Sequence, residues 1–207
     1  MLDRQKLKFL ESEFLKRYPQ GFKDPAMQEI LKKHPIEKMT AMAHEVFKKS
    51  AFNKPDDIVS NMATMVGRSS MVSMFEKPKF RDFVKSLNSH DKAFLAKALK
   101  QLLHGTQQSG FEALVDILKT QKLAKWSLVT ILPAYYAPNE EVFVKPTTVK
   151  GILSYFNIDD LVYHPNPTWE FYQVYRGLIN QAKTKVRKTL SPSNAAFSGF
   201  LMMTVKI

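Results

Sequence analysis

The chain has no cysteine, which excludes a disulfide scaffold, a thiolate metal site and a cysteine nucleophile together. Glycine is sparse, at seven in 207 residues, and no G-x-G-x-x-G run or P-loop is built from it. Histidines stand at 34, 44, 90, 104 and 164, with neither His-x-x-x-His nor HExxH spacing, so a zinc site would have to be assembled from distant segments. No serine sits in G-x-S-x-G. The carboxylate pairs Asp56-Asp57, Glu140-Glu141 and Asp159-Asp160 are adjacent in sequence. Adjacent side chains on a helix point apart, which suits caps and surface positions rather than acid–base pairs. These absences point away from an enzyme, a cofactor and a metal.

Long apolar runs are missing as well. The opening residues, Met1 to Leu10, are charged throughout and lack the apolar core of a signal peptide. The uncharged run Trp126 to Asn139 is broken by Pro133 and Pro138, and falls short of the ~20 apolar residues that span a bilayer. A cytoplasmic protein without a membrane segment is the expectation. Acidic residues are also in deficit: 19 Asp and Glu face 31 Lys and Arg, a formal charge of +12. An excess of that size attracts nucleic acid, acidic proteins or anionic lipid head groups at long range. Hydrophobic residues at 44% and charged residues at 24% fit a globular chain that buries its own core.

What is present is helical. Asp3 caps a first helix with Leu7, Leu10, Phe14 and Tyr18 on its apolar face. Asp24 before Pro25 is a cap with proline at the first helical position, and further helices open at Pro35, Pro55 and Pro78. Asn88 or Ser89 caps the clearest helix, which is expected to bury Phe94, Leu95, Ala98, Leu99, Leu102 and Leu103 before Gly105 ends it. Ser109 and Glu112 have the spacing of a capping box. A helix around Trp126 to Leu132 follows. Glu141-Val-Phe-Val-Lys145 is the one strand-like stretch, and without a partner strand it reads as extended loop. Thr147 or Thr148, Thr168, and Ser191 with Pro192 open the last three helices. The expectation is an all-α single domain of about ten helices over 1–207, with a helical-hairpin core over 1–132 and an aromatic, proline-rich subdomain over 133–207. Phe80 to Leu87 and Phe111 to Leu118 share their apolar spacing, and each precedes a Leu-Ala-Lys tripeptide, at Leu95 and at Leu123. Two stacked helical hairpins would produce such a repeat, and so would chance among amphipathic helices.

Several features bear on function. Arg176, Lys183 and Arg187 recur at intervals of seven and four, which lines them up on one helix face. Between Lys77 and Lys100 the chain carries Lys77, Lys79, Arg81, Lys85, Lys92, Lys97 and Lys100 against Asp82 and Asp91. Rows of this kind, with Lys92 and Lys100 among them, can follow a phosphate backbone. They also describe a solvated helix face. Tyr136, Tyr163 and Trp169, in the aromatic segment from Trp126 to Arg187, are of the types enriched at protein interfaces, and equally of the types that pin loops to a core. Met62, Met65, Met71 and Met74 suit an adaptable peptide surface or, more often, a core. Gly67-Arg-Ser-Ser70 is a donor-rich loop that could hold an anion on its amides. A non-catalytic nucleic-acid-binding module is the leading expectation, with a protein–protein interaction module as its alternative.

The stretch from Val142 to Lys150, followed by Pro167 to Tyr172 and by Leu190-Ser-Pro192, resembles a pattern in a family of bacterial proteins with no assigned activity. The resemblance covers roughly the last third of the chain. It implies a bacterial, cytoplasmic origin and brings no site residue with it.

Overall fold

The computed structural model describes residues 2–205, and every regular element among them is a helix. In chain order these are α1 (Arg4–Arg17), α2 (Gln28–Lys33), α3 (Ile36–Val46), α4 (Pro55–Arg68), α5 (Glu76–Ser86), α6 (Ser89–His104), α7 (Gln107–Lys119), α8 (Trp126–Tyr136), α9 (Pro146–Tyr155), α10 (Trp169–Lys183) and α11 (Asn194–Thr204). Short 3-10 turns lie at Gly21–Lys23, Pro25–Met27, Lys49–Asn53 and Lys188–Leu190.

Several of the expected caps form. The Asp3 carboxylate accepts from the amides of Gln5 and Lys6, Asn88 Oδ1 from Asp91, and Thr168 Oγ1 from Phe171. Each satisfies a backbone donor that the first helical turn leaves open. Others are displaced. Helix α7 begins at Gln107 with Thr106 ahead of it, so Ser109 is already inside the helix and no capping box forms. Helix α9 begins at Pro146, which places Thr148 inside it, and α11 is capped by Ser193 rather than by Ser191.

Helices α6 and α7 fold back on each other across Gly105-Thr106 in the most extensive helix pairing of the molecule. Both α5 and α6 lie on α4. The two repeat-like units therefore do not form equivalent hairpins, because the second helix of one pairs with the first helix of the next. Their Leu-Ala-Lys tripeptides differ too: Leu95 to Lys97 is within α6, and Leu123 to Lys125 is the turn before α8.

Helix α8 packs on α3, α4, α6 and α7. It runs straight through the composition change after Leu132, with Pro133 buried inside it. Helix α11 packs on α1, α9 and α10, bringing the first helix beside the last. The buried residues form one continuous core from Leu2 to Val205. The segment from Val142 to Val144 is extended and unpaired as a strand, and its amides find side chains instead: Val144 donates to Thr130 Oγ1 at 3.0 Å. No helix among the described residues is long and apolar enough to cross a membrane.

Candidate nucleic-acid interface

The stripe of Arg176, Lys183 and Arg187 does not exist in the folded chain. Helix α10 ends at Lys183, and Arg187 sits in extended backbone at the start of the following turn. Its amide donates to Glu11 Oε1 at 2.9 Å. The guanidinium of Arg176 is turned inward, with Nη1 2.7 Å from Glu141 Oε1 and 2.8 Å from Gln107 Oε1. It also lies over the rings of Trp169 and Tyr172. Lys183 Nζ donates to the carbonyl of Asn139 at 2.6 Å. Partial burial lowers its pKa, against an opposing pull from Glu140. Cations spent on internal carboxylates and carbonyls have little left for phosphate.

The aromatic residues are core or half-core. Trp169 is buried against Phe111 and Tyr172. Tyr163 is half-buried between Trp126, Phe171 and the ammonium of Lys150. Tyr136 is half-buried, with its ring edge-on to His44 and His104. Of the methionines, Met62 and Met65 are in the core, while Met74 is 74% exposed beside Phe75. The Gly67-Arg-Ser-Ser70 stretch is closed to an anion: Gly67 belongs to α4, and the buried Ser69 hydroxyl bonds Tyr135 Oη and accepts from the amides of Met71 and Val72.

The basic segment from Lys77 to Lys100 fares differently. It spans α5 and α6; α5 directs its apolar face at α4, and α6 directs its own at α4 and α7, leaving the cations outward. Where α4, α5 and α6 meet, a cleft of about 370 Å³ is rimmed by Arg81, Lys85 and Lys92, with Ser60 and Thr64 along it. Lys92 Nζ is held 2.7 Å from Asp56 Oδ1 at one end. Arg81 contacts its neighbour Asp82. A second cleft, of about 450 Å³, carries Lys97, Lys100 and His104 beside Phe52. Among the described residues, Lys77, Lys79, Lys85, Lys97 and Lys100 have no carboxylate within ion-pair distance.

Of the residues expected to meet phosphate, the fold thus leaves Lys100 open and Lys92 half-committed, both on α6. It also leaves the Arg187 side chain exposed beyond the end of α10, with no carboxylate within ion-pair distance among the described residues. Of the rest of the expected basic segment, Arg81 and Lys85 rim the first cleft and Lys97 lines the second. The fold also turns Phe94 outward, 42% exposed, where the sequence pattern has it buried. Phe94, Lys97 and Gln101 are spaced by three and four, so they share one helix face, and that phase relation was the available signal.

No family model, curated protein or solved structure matches the chain. Among the described residues no group of three or more histidines and carboxylates is placed to hold a metal.

Proposed function

We propose that this protein is a non-catalytic nucleic-acid-binding module, and that the α5–α6 face is the surface that meets the phosphate backbone. The observation that carries this reading is the run of seven cations from Lys77 to Lys100 against two carboxylates in the same span, five of the cations free of acidic partners among the described residues. Several unpaired lysines on two helices that pack on α4 favour a repeating anion, because each one neutralises a phosphate and releases its counterions. The net charge of +12 adds long-range attraction of the same sign.

The test is fluorescence anisotropy with labelled duplex and single-stranded oligonucleotides over a range of salt. Binding should weaken log-linearly with salt, with a slope of roughly −0.7 to −0.9 per phosphate neutralised. Lys97→Glu with Lys100→Glu should weaken binding to all sequences alike. Absence of binding at low salt, or affinity indifferent to salt, would overturn the reading.

A further inference from the structure

The proposed surface has a feature that phosphate contact alone does not use. Phe94 is exposed at the edge of a third cleft, of about 320 Å³, between α6 and α7. That volume is at the lower end of the range of ligand sites, about 300–1,000 Å³. Ala98 and Ala113 line it with small side chains, which leaves the ring face of Phe94 room for a flat partner. Gln101, Thr106 and Ser109 supply polar groups to the same cleft. Gln101 Oε1 accepts from the Thr106 amide at 3.1 Å, and its Nε2 has no protein partner among the described residues. Lys97 borders both this cleft and the one beside His104, so a single cation stands between two recesses on either flank of α6.

We infer, building on the proposed function, that the preferred ligand is a single strand, crossing α6 with a phosphate at Lys97 and a base laid on Phe94. An aromatic ring beside a lysine, with neutral donors and acceptors around it, matches what an unpaired nucleotide presents: a π-face, a polar edge and an anion. A duplex keeps its bases stacked inside and offers this cleft nothing but charge. One turn further along α6, Lys100 continues the cationic track away from Phe94, about 4.5 Å along the axis. The base edge meets groups that both donate and accept, so the cleft takes any base and the strand is bound without sequence preference.

The experiment compares three labelled probes of equal length in the salt titration: single-stranded oligonucleotide, duplex, and an abasic sugar-phosphate strand. Single strand should bind tightest. Phe94→Ala should cost about tenfold for single strand, equivalent to about 1.4 kcal/mol, while leaving the duplex and abasic affinities unchanged. Phe94→Trp should restore binding. Ala113→Leu, which fills the cleft from α7 without altering charge, should reproduce the loss, and circular dichroism should show both variants folded. If single strand binds no better than duplex or abasic strand, or if Phe94→Ala has no effect, the inference fails while the basic face stands. If no probe binds, both fail.

Discussion

Arg176 Nη1 lies 2.7 Å from Glu141 Oε1, joining the middle of α10 to the extended segment between α8 and α9. The pair is almost dry, with side-chain exposures of 21% and 5%. Around it the Glu141 carboxylate also accepts from Tyr172 Oη at 2.6 Å and from Gln107 Nε2 at 2.9 Å. Asn194 Nδ2 reaches the Glu141 carbonyl from α11 at 3.0 Å. Through its carboxylate Glu141 thus ties α7 and α10, and through its carbonyl α11, to an extended segment that has no strand partner to hold it. This accounts for why the arginine with the most suggestive spacing in the sequence is unavailable to an outside anion.

Removing one member of this pair should be far worse than removing both charges. Arg176→Met leaves a buried carboxylate without its cation and should cost about 3–5 kcal/mol. Glu141→Gln with Arg176→Met should recover a substantial part of that loss, as measured by urea unfolding in a double-mutant cycle. Additive losses would mean that the two side chains act independently.

Gly110 should tolerate no side chain. A Cβ there would stand 2.7 Å from the Gln101 carbonyl carbon and the Leu102 Cα, both backbone atoms of α6. Gly110→Ala must push α6 and α7 apart, at a cost of about 3 kcal/mol or more. Gly177, inside α10, has open space around its Cβ position, so Gly177→Ala should stabilise by about 0.5–1 kcal/mol. Thermal melts of the two variants should shift in opposite directions.

Alkali should unfold the protein through its buried phenols. Burial raises the pKa of Tyr135, Tyr172 and Tyr175, and for Tyr172 the neighbouring Glu141 carboxylate adds to the effect. In the unfolded chain these groups ionise near pH 10, while the folded chain keeps them protonated. Stability is therefore intact below pH 10 and falls above it, by up to about 1.4 kcal/mol per pH unit for each such tyrosine. Phenolate absorbance from these residues should appear together with the loss of helical circular dichroism. Full ionisation with helicity retained would contradict the assigned burial.

Asn88 should matter for stability and not for binding. Its Oδ1 accepts from the Asp91 amide at 2.9 Å and closes the first turn of α6. Asn88→Ala should cost about 1 kcal/mol. In a domain of this size that corresponds to a melting-point drop of about 2–4 °C. Oligonucleotide affinity below the transition should match that of the unchanged protein, because Lys97, Lys100 and Phe94 remain on an intact helix.

The starts of α1, α6 and α10 were legible because Asp3, Asn88 and Thr168 act on amides two or three residues away, and local spacing encodes such contacts. Ser109 has the same local credentials, yet α7 starts earlier. Its Gly110 sits against the backbone of α6, so the helix pairing extends past the point where local rules would begin it. The basic segment on α5 and α6 was visible as composition, and its outward orientation followed from the apolar positions between the lysines. The three clefts were not visible, since each needs two or three helices to form its walls.

The sequence by itself determined that the chain is helical, where several of the helices are capped, and that it carries a large positive charge. These properties depend on residue type and on spacing within about four positions. Only the tertiary structure decided which cations are free and which aromatics are covered. Arg176 and Lys97 look alike in sequence as helix-borne cations, but the partners of Arg176 are Glu141 and Gln107, 35 and 69 residues away, while Lys97 has no acidic partner among the described residues. Whether a charge is spent inside a protein or offered to solvent depends on what the rest of the chain brings to within about 3 Å of it, and no local pattern encodes that distance.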